Sequence, residues 1–273
     1  PRDQTIRIMR IISRMNIGGP AVHVTNLNAS LDSTRYSSLL VSGVETSREG
    51  SLVQHAVDRG VRVVIIPDMQ SEATLKPRDF MALIKLWRLM RQERPHIVHT
   101  HTGKAGLLGR TAARLSNVPI VIHTYHGHVF YGYYSPAKSW LARRLEKVMA
   151  RITDKNIAIS DEIKRDLLSY GIANDEDIDV IPLGVDLDPY LGGGNRSGNF
   201  RGELGLDSDT YLIGIVGRIV PIKNHRLFLD AAANVVASGI SSHFAIVGDG
   251  EMRTDIERYA HDLGLSDRVT FTG

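Results

Sequence analysis

The sequence predicts an α/β protein of two domains, each a parallel sheet wound with helices on both faces. Three observations predict it. Apolar runs of strand length alternate with segments of helical period along the whole chain. The chain opens with a strand, residues 6–12, a glycine-bearing loop, residues 16–20, and a helix through Ala21, Val24, Leu27 and Leu31. The same strand–turn–helix order returns at residues 211–236, after a glycine-rich stretch at 192–198 that reads as loop. A length of 273 residues suffices for two such domains.

Between these landmarks the alternation is regular. Residues 36–42 and 61–66 read as strands, with a short helix at 51–59 between them. Residues 78–94 form an amphipathic helix ended by Pro95. Residues 96–101 read as a strand and 104–117 as a helix whose small residues, Ala105, Gly106, Gly109, Ala112 and Ala113, permit close packing. Another strand covers 119–126. Residues 157–159 form a further strand, with Ser160 opening a helix. Residues 178–184 read as a strand and exit turn, and the domain boundary is expected there: residues 1–185 in the first domain, 186–273 in the second. The second domain continues with a strand over 244–250, a helix over 251–263 and a strand at 269–273.

Composition narrows the class. Cysteine is absent, so disulfide and thiolate chemistry are excluded, which fits a cytosolic enzyme. A net charge of +3 is too small to imply nucleic acid. No run of about eighteen apolar residues exists, and the N-terminus lacks a signal-peptide pattern. The chain begins at Pro1 and stops at Gly273 in a strand-like run, and both ends read as cut.

Ligands of open α/β sheets bind beyond the carboxyl ends of the strands, so those ends carry the chemistry. In the first half, Gly18 and Gly19 let the backbone lie against a ligand with no Cβ between, although a plain tight turn explains them equally well. Thr102 is placed to cap the helix that Gly103 opens to an anion, with Lys104 beside it. His123, His126 and His128 end the next strand. His99 and His101 share one face of theirs. A metal site is not expected, because no carboxylate or cysteine is interleaved with these histidines. His96, His99 and His123 read as core imidazoles with satisfied nitrogens.

Residues 136–152 form a helix with two stripes. Leu141, Leu145, Val148 and Ile152 read as the core stripe. Lys138, Arg143, Arg144, Lys147 and Arg151 stand against a single acid, Glu146, and an aromatic stretch at 129–134 precedes them. This face suits plain solvation, or a bilayer surface with anionic lipid.

In the second half, Gly217, Arg218, Pro221, Lys223 and Asn224 form the turn between a buried strand and a helix. Backbone N–H groups, the positive helix end and two cations meet there, which suits a diphosphate. Gly248 and Gly250 read as structural.

Gly-Arg-x-x-x-x-Lys-Asn after a hydrophobic strand resembles the donor-site turn of the retaining, nucleotide-sugar-dependent glycosyltransferases of the GT-B fold, group 1. Thr-x-His-Gly at a strand end and Ile-Pro-x-Gly-Val-Asp at 181–186 resemble stretches of the same family. The resemblance implies two Rossmann-like domains facing a cleft, with the second only partly covered by this chain. It implies that Arg218 and Lys223 hold the donor diphosphate, with Gly18, Gly19 and Asn224 lining the donor. His126 would border the transferred sugar, and Thr102, Lys104 and His128 would lie on the acceptor side. The implied activity is hexosyl transfer with retention from a UDP-sugar or similar donor to a lipid-linked or polysaccharide acceptor, without cofactor or metal. The protein would be cytoplasmic, with peripheral contact at the inner membrane face through helix 136–152. The family's E-x7-E segment, whose glutamates hold donor ribose and sugar, is absent from these residues. The chain as given is therefore expected to be inactive. A non-catalytic phosphate-binding module and a non-hydrolysing nucleotide-sugar epimerase remain as alternatives.

Overall fold

The computed structural model describes residues 5–45, 50–70, 75–127, 136–191 and 200–273. The chain divides into two compact units, Pro1–Leu187 and Asp188–Gly273.

Unit 1 alternates strand and helix: β1 (Ile6–Ile12), α1 (Gly19–Ala29), β2 (Tyr36–Val44), α2 (Val53–Asp58), β3 (Arg62–Gln70), α3 (Pro77–Glu93), β4 (Ile97–His101), α4 (Gly103–Leu115), β5 (Ile120–Tyr125), α5 (Pro136–Arg151), β6 (Lys155–Ala158), α6 (Asp161–Ser169) and β7 (Ile178–Val180). The last strand is shorter than the expected 178–184. The seven strands are all parallel, in the order β3-β2-β1-β4-β5-β6-β7. The winding direction reverses between β1 and β4, and such a switch point opens a crevice at the strands' carboxyl ends.

Alternation of side chains divides the core. Met9, Ile11, Val41 and Val98 pack with Leu86 and Met90 of α3 and with Ala105, Leu108 and Ala112 of α4. Ile12, Leu40 and Met15 pack on the opposite side with Ala21 and Val24 of α1. Helix α4 lies tight on the sheet because glycine faces it: a Cβ at Gly106 would stand 2.6 Å from the His123 ring, and one at Gly109 2.7 Å from Thr100. Arg94, in the left-handed conformation, ends α3 before Pro95.

Helix α5 corrects the sequence reading. Leu141, Leu145 and Val148, expected in the core, face outward, at 62%, 40% and 54% exposure. The buried side carries Ser139, Met149 and Ala150. The cause is Glu146, on the inward side. Its carboxylate accepts from Arg110 Nη2 at 2.6 Å and from the Tyr125 hydroxyl at 2.8 Å, and the Arg110 side chain is wholly buried. An interior guanidinium requires its counter-ion, and that requirement sets the rotation of the helix. The aromatic stretch at 129–134 and His128 lie outside the described residues, as does the loop at 192–198.

Unit 2 contains α7 (Asp188–Leu191), α8 (Phe200–Glu203), β8 (Tyr211–Val216), α9 (His225–Ala237), β9 (Ser242–Val247), α10 (Arg253–Asp262) and β10 (Val269–Phe271). Its sheet is parallel, in the order β10-β9-β8. Phe244, Ile246, Leu229, Ala232 and Ile256 form its core. Strand β8 is at the edge, with Tyr211 and Val216 exposed.

Gly248 and Gly250 let two loops of unit 2 close together. The Gly217 and Ile219 N–H groups donate to the Val247 and Asp249 carbonyls, each at 2.9 Å. A Cβ on Gly248 would stand 2.2 Å from the Gly217 oxygen, at a φ of +136° that L side chains rarely adopt. Gly248→Ala is therefore expected to destabilise unit 2 by about 2–3 kcal/mol, read from the denaturant midpoint. A midpoint equal to that of the wild type would contradict the packing.

Candidate active site

The switch point of unit 1 is built by Ser13, the first residue beyond β1. Its Oγ accepts from the Ala105 N–H at 3.0 Å, satisfying one of the open donors at the start of α4. Its N–H donates to Thr102 Oγ1 at 3.2 Å, and the two hydroxyl oxygens are 2.7 Å apart. Thr102 therefore occupies the N-cap position of α4 without capping it with its own side chain. The neighbouring strand supplies the cap instead, and Thr102 is held at φ +67°, an uncommon conformation for a β-branched residue.

Lys104, expected on the acceptor side, is turned inward. Its ammonium lies 3.0 Å from the Asp79 carboxylate, and both side chains are almost fully buried. Asp79 also accepts from the Lys76 N–H at 2.7 Å, so the pair fastens α4 to the start of α3. Among the described residues no atom lies within 4 Å of a Cβ built at Gly103, at the start of α4.

At the end of β5, the His126 ring stands over that of His101. His126 Nε2 and His101 Nδ1 are 3.0 Å apart. The His23 ring of α1 closes the group, edge-on to His126 at 5.3 Å between centroids. His99 stacks on His101 at 4.2 Å, and its Nε2 bonds Thr124 Oγ1 at 2.8 Å. All four imidazoles are held neutral. Burial pushes His126 down to about 4 and His99 to about 3, and the buried Arg10 guanidinium adds to the effect at His99. Burial also lowers His23 and takes His101 well below its usual value. Among the described residues, no three His, Asp or Glu side chains are arranged to hold a metal ion. His123 is a hydrogen-bonded core imidazole, bonded to Thr100, whereas His96, expected in the core, is only half-buried, against Arg7. Among the described residues, an added Cβ would touch only Asn16 at Gly18, at 3.9 Å or more, and nothing at Gly19, so their packing leaves the loop uncovered.

In unit 2 the turn after β8 carries Arg218 and Lys223, both exposed. The Lys223 stem lies over Gly217, where a Cβ would sit 3.9 Å from Lys223 Cε. Asn224, at φ +48°, caps α9 by accepting from the Leu227 N–H at 3.4 Å. Its side chain is thus engaged by the helix it opens. The first turn of α9 carries no acid, so its positive end is offset only from outside.

Local pattern did not single out Ser13, His23, His101 as a partner of His126, or His225. His225 is buried at the start of α9 with neither ring nitrogen partnered. Ser13 had one legible signal, its place directly after the first strand.

The sequence profile of Glycosyltransferase Family 4 matches residues 17–189, and that of Glycosyl transferases group 1 matches residues 197–273. The chain belongs to glycosyltransferase family 4. This family-4 chain is 33% identical, over 83% of its length, to the UDP-Gal:alpha-D-GlcNAc-diphosphoundecaprenol alpha-1,3-galactosyltransferase of Escherichia coli, of which it spans 59%. Among solved structures it is similar to sucrose-phosphate synthase from Thermosynechococcus elongatus, at 19% identity and a TM-score of 0.73, covering 98% of this chain and 70% of that one. It is also similar to a putative UDP-N-acetylglucosamine 2-epimerase from Listeria monocytogenes, at 16% identity and a TM-score of 0.66, covering 98% and 69%. At these identities the likeness is one of fold, and the fold class of the family-4 chain is GT-B.

Proposed function

We propose that the protein transfers a hexosyl group, with retention, from a nucleotide diphosphate sugar to a lipid-linked or polysaccharide acceptor. The observation that carries this reading is the turn of unit 2. Two cations, Arg218 and Lys223, stand at the end of β8 beside the N-terminus of α9, whose first turn carries no acid. When the bond from the anomeric carbon to the donor phosphate breaks, negative charge grows on the departing diphosphate. Fixed cations and N–H dipoles stabilise that charge more than they stabilise the intact donor. The E. coli relative's name, with UDP-galactose as donor and a diphosphoundecaprenol-linked acceptor, supports a UDP-sugar and a lipid-linked acceptor. On the side of unit 1, His126 would contact the transferred sugar, and the uncovered Gly18-Gly19 loop would face a ligand. The open start of α4 takes the acceptor-side role first given to Lys104.

Arg218→Ala and Lys223→Ala in the full-length protein are each expected to lower kcat/KM about a hundredfold. Both side chains are exposed, so folding should be unaffected. Normal turnover by both variants would remove the donor assignment, and sugar exchange without acceptor would point to epimerisation instead.

The outward face of α5 supports a peripheral, cytoplasmic contact with a membrane. Trp140, Leu141, Leu145 and Val148 are exposed there among Lys138, Arg144, Lys147 and Arg151. Apolar burial at the headgroup level, plus attraction to anionic lipid, would hold such a helix in the interface. Among the described residues no helix is long and apolar enough to cross a membrane. Reversing the charge at Arg144, Lys147 and Arg151 is expected to weaken sedimentation with phosphatidylglycerol vesicles at least tenfold, in a salt-dependent way. Unchanged sedimentation would exclude this face.

A further inference from the structure

A cavity of about 390 Å³ lies at the amino edge of the unit 1 sheet, between the ends of α3 and α4 and the starts of β4 and β5. Arg7, Arg91, Arg94, His96, Ser116 and Asn117 line it with polar groups, and Pro95 and Pro119 give it apolar walls. Its volume is that of a small-molecule site. His96 precedes β4 and His101 ends it, so about 17 Å of strand separates this cavity from the histidine cluster. A ligand here is outside the candidate active site.

The geometry around His96 calls for an acceptor that the described residues do not supply. The Arg7 N–H points at Nδ1 of the ring at 3.1 Å, and Arg7 Nη2 stands 3.1 Å from Nε2. Both neighbours are donors only, and an imidazole has at most one lone pair with which to accept. In every protonation state, therefore, one ring nitrogen carries an N–H that faces another N–H. The backbone N–H belongs to β1 and cannot turn away, so the ring accepts there. Nε2–H and the Arg7 guanidinium are left side by side, two donors without an acceptor between them. Arg7 Nε donates to the Arg94 carbonyl at 2.9 Å, which holds the guanidinium in place. Ser116 Oγ, also in the lining, is buried with no hydrogen-bond partner among the described residues.

Charge points the same way. Among the described residues no acid lines the cavity. The nearby acids are engaged elsewhere, Glu93 by Arg62 and Asp154 by Arg114. Arginines at helix C-termini ordinarily offset the helix dipole, and that is the plainest role for Arg91 and Arg94. The amounts do not match. Two helix ends bring roughly −1 together, against about +3 from the guanidiniums of Arg7, Arg91 and Arg94. About two positive charges remain, equal and opposite to the charge of a phosphate monoester. A carboxylate would offset only one of them.

We propose that this cavity is a second ligand site, which takes a small phosphate monoester bearing hydroxyl groups. The phosphoryl oxygens accept from His96 Nε2–H and from the guanidiniums of Arg7, Arg91 and Arg94. The hydroxyls bond to Ser116 Oγ and the Asn117 side chain. Guanidinium forks match phosphoryl oxygens two at a time. The site is independent of the proposed glycosyl transfer.

The test is calorimetric titration of the protein with ribose 5-phosphate, inorganic phosphate and ribose. Ribose 5-phosphate is expected to bind most tightly, inorganic phosphate more weakly and ribose not at all. Arg91→Ala and Arg94→Ala should each weaken ribose 5-phosphate binding at least about tenfold, through the loss of a charge-assisted hydrogen bond. Both side chains are exposed, so the variants should fold, which unchanged urea midpoints would verify. Ser116→Ala should weaken ribose 5-phosphate and leave inorganic phosphate alone. Arg218→Ala combined with Lys223→Ala should keep the wild-type affinity, which separates this cavity from the turn of unit 2. Absence of saturable ribose 5-phosphate binding overturns the proposal, and so does binding that survives Arg91→Ala and Arg94→Ala together. Binding lost in the Arg218, Lys223 variant instead also overturns it. Inorganic phosphate bound as tightly as ribose 5-phosphate overturns the hydroxyl contacts and supports the anion site alone.

Discussion

Glu146→Ala is expected to destabilise unit 1 by about 3–5 kcal/mol, enough to consume much of the stability of an ordinary domain. The carboxylate is the counter-ion of Arg110, whose side chain is wholly inside, and it accepts from the buried Tyr125 hydroxyl as well. Removing it strands a charge and a hydroxyl together. The remaining contacts of Arg110, with the Gly106 carbonyl at 2.8 Å and Thr153 Oγ1 at 3.5 Å, supply no negative charge. The measurement is chemical unfolding of the variant against the wild type. The double variant Arg110→Met, Glu146→Leu should recover most of the loss, because an apolar pair of similar volume carries no desolvation penalty. A single variant as stable as the wild type would mean that the ion pair does not fix α5.

Acid should unfold the protein early. His99, His101, His123 and His126 are all held neutral by burial, with His126 at about 4, His99 at about 3 and the other two well below their ordinary value of 6.5. Between the folded values and 6.5 the unfolded chain binds protons that the folded chain refuses. Stability is therefore full above about pH 6.5 and falls as pH drops toward 4. Each histidine contributes about 1.4 kcal/mol per pH unit within that window, so the four together approach about 5 kcal/mol per unit. Urea midpoints at pH 7.5, 6 and 5 measure the slope. The exposed carboxylates Asp32 and Asp68 have lowered values and act only at more acidic pH. Equal midpoints at pH 7.5 and 5 would show that the imidazoles are open to solvent and to protons.

The alternation of strands and helices, the glycine loop before α1 and the cationic turn before α9 were legible because each is local. Periodicity and turn chemistry act over a few residues and do not need a partner elsewhere. The rotation of α5 was not legible. Both of its stripes have helical period, and the choice between them rests on Arg110, thirty-six residues away in the chain. Lys104 read as a free cation at a helix start, because its partner Asp79 is on another helix. Thr102 read as a cap, and the hydroxyl that reaches the α4 backbone is Ser13, across the sheet.

Taken alone, the order of residues determined the α/β class, the strand ends and the positive turn at Arg218 and Lys223. Only the tertiary structure decided which polar groups are engaged by one another and which are left for a ligand. Hydrogen bonds and ion pairs in an interior are settled between strands paired far apart in sequence, as β4 is with β1 and β5. Burial makes those pairings costly to leave unmade, so they override the local pattern wherever the two disagree.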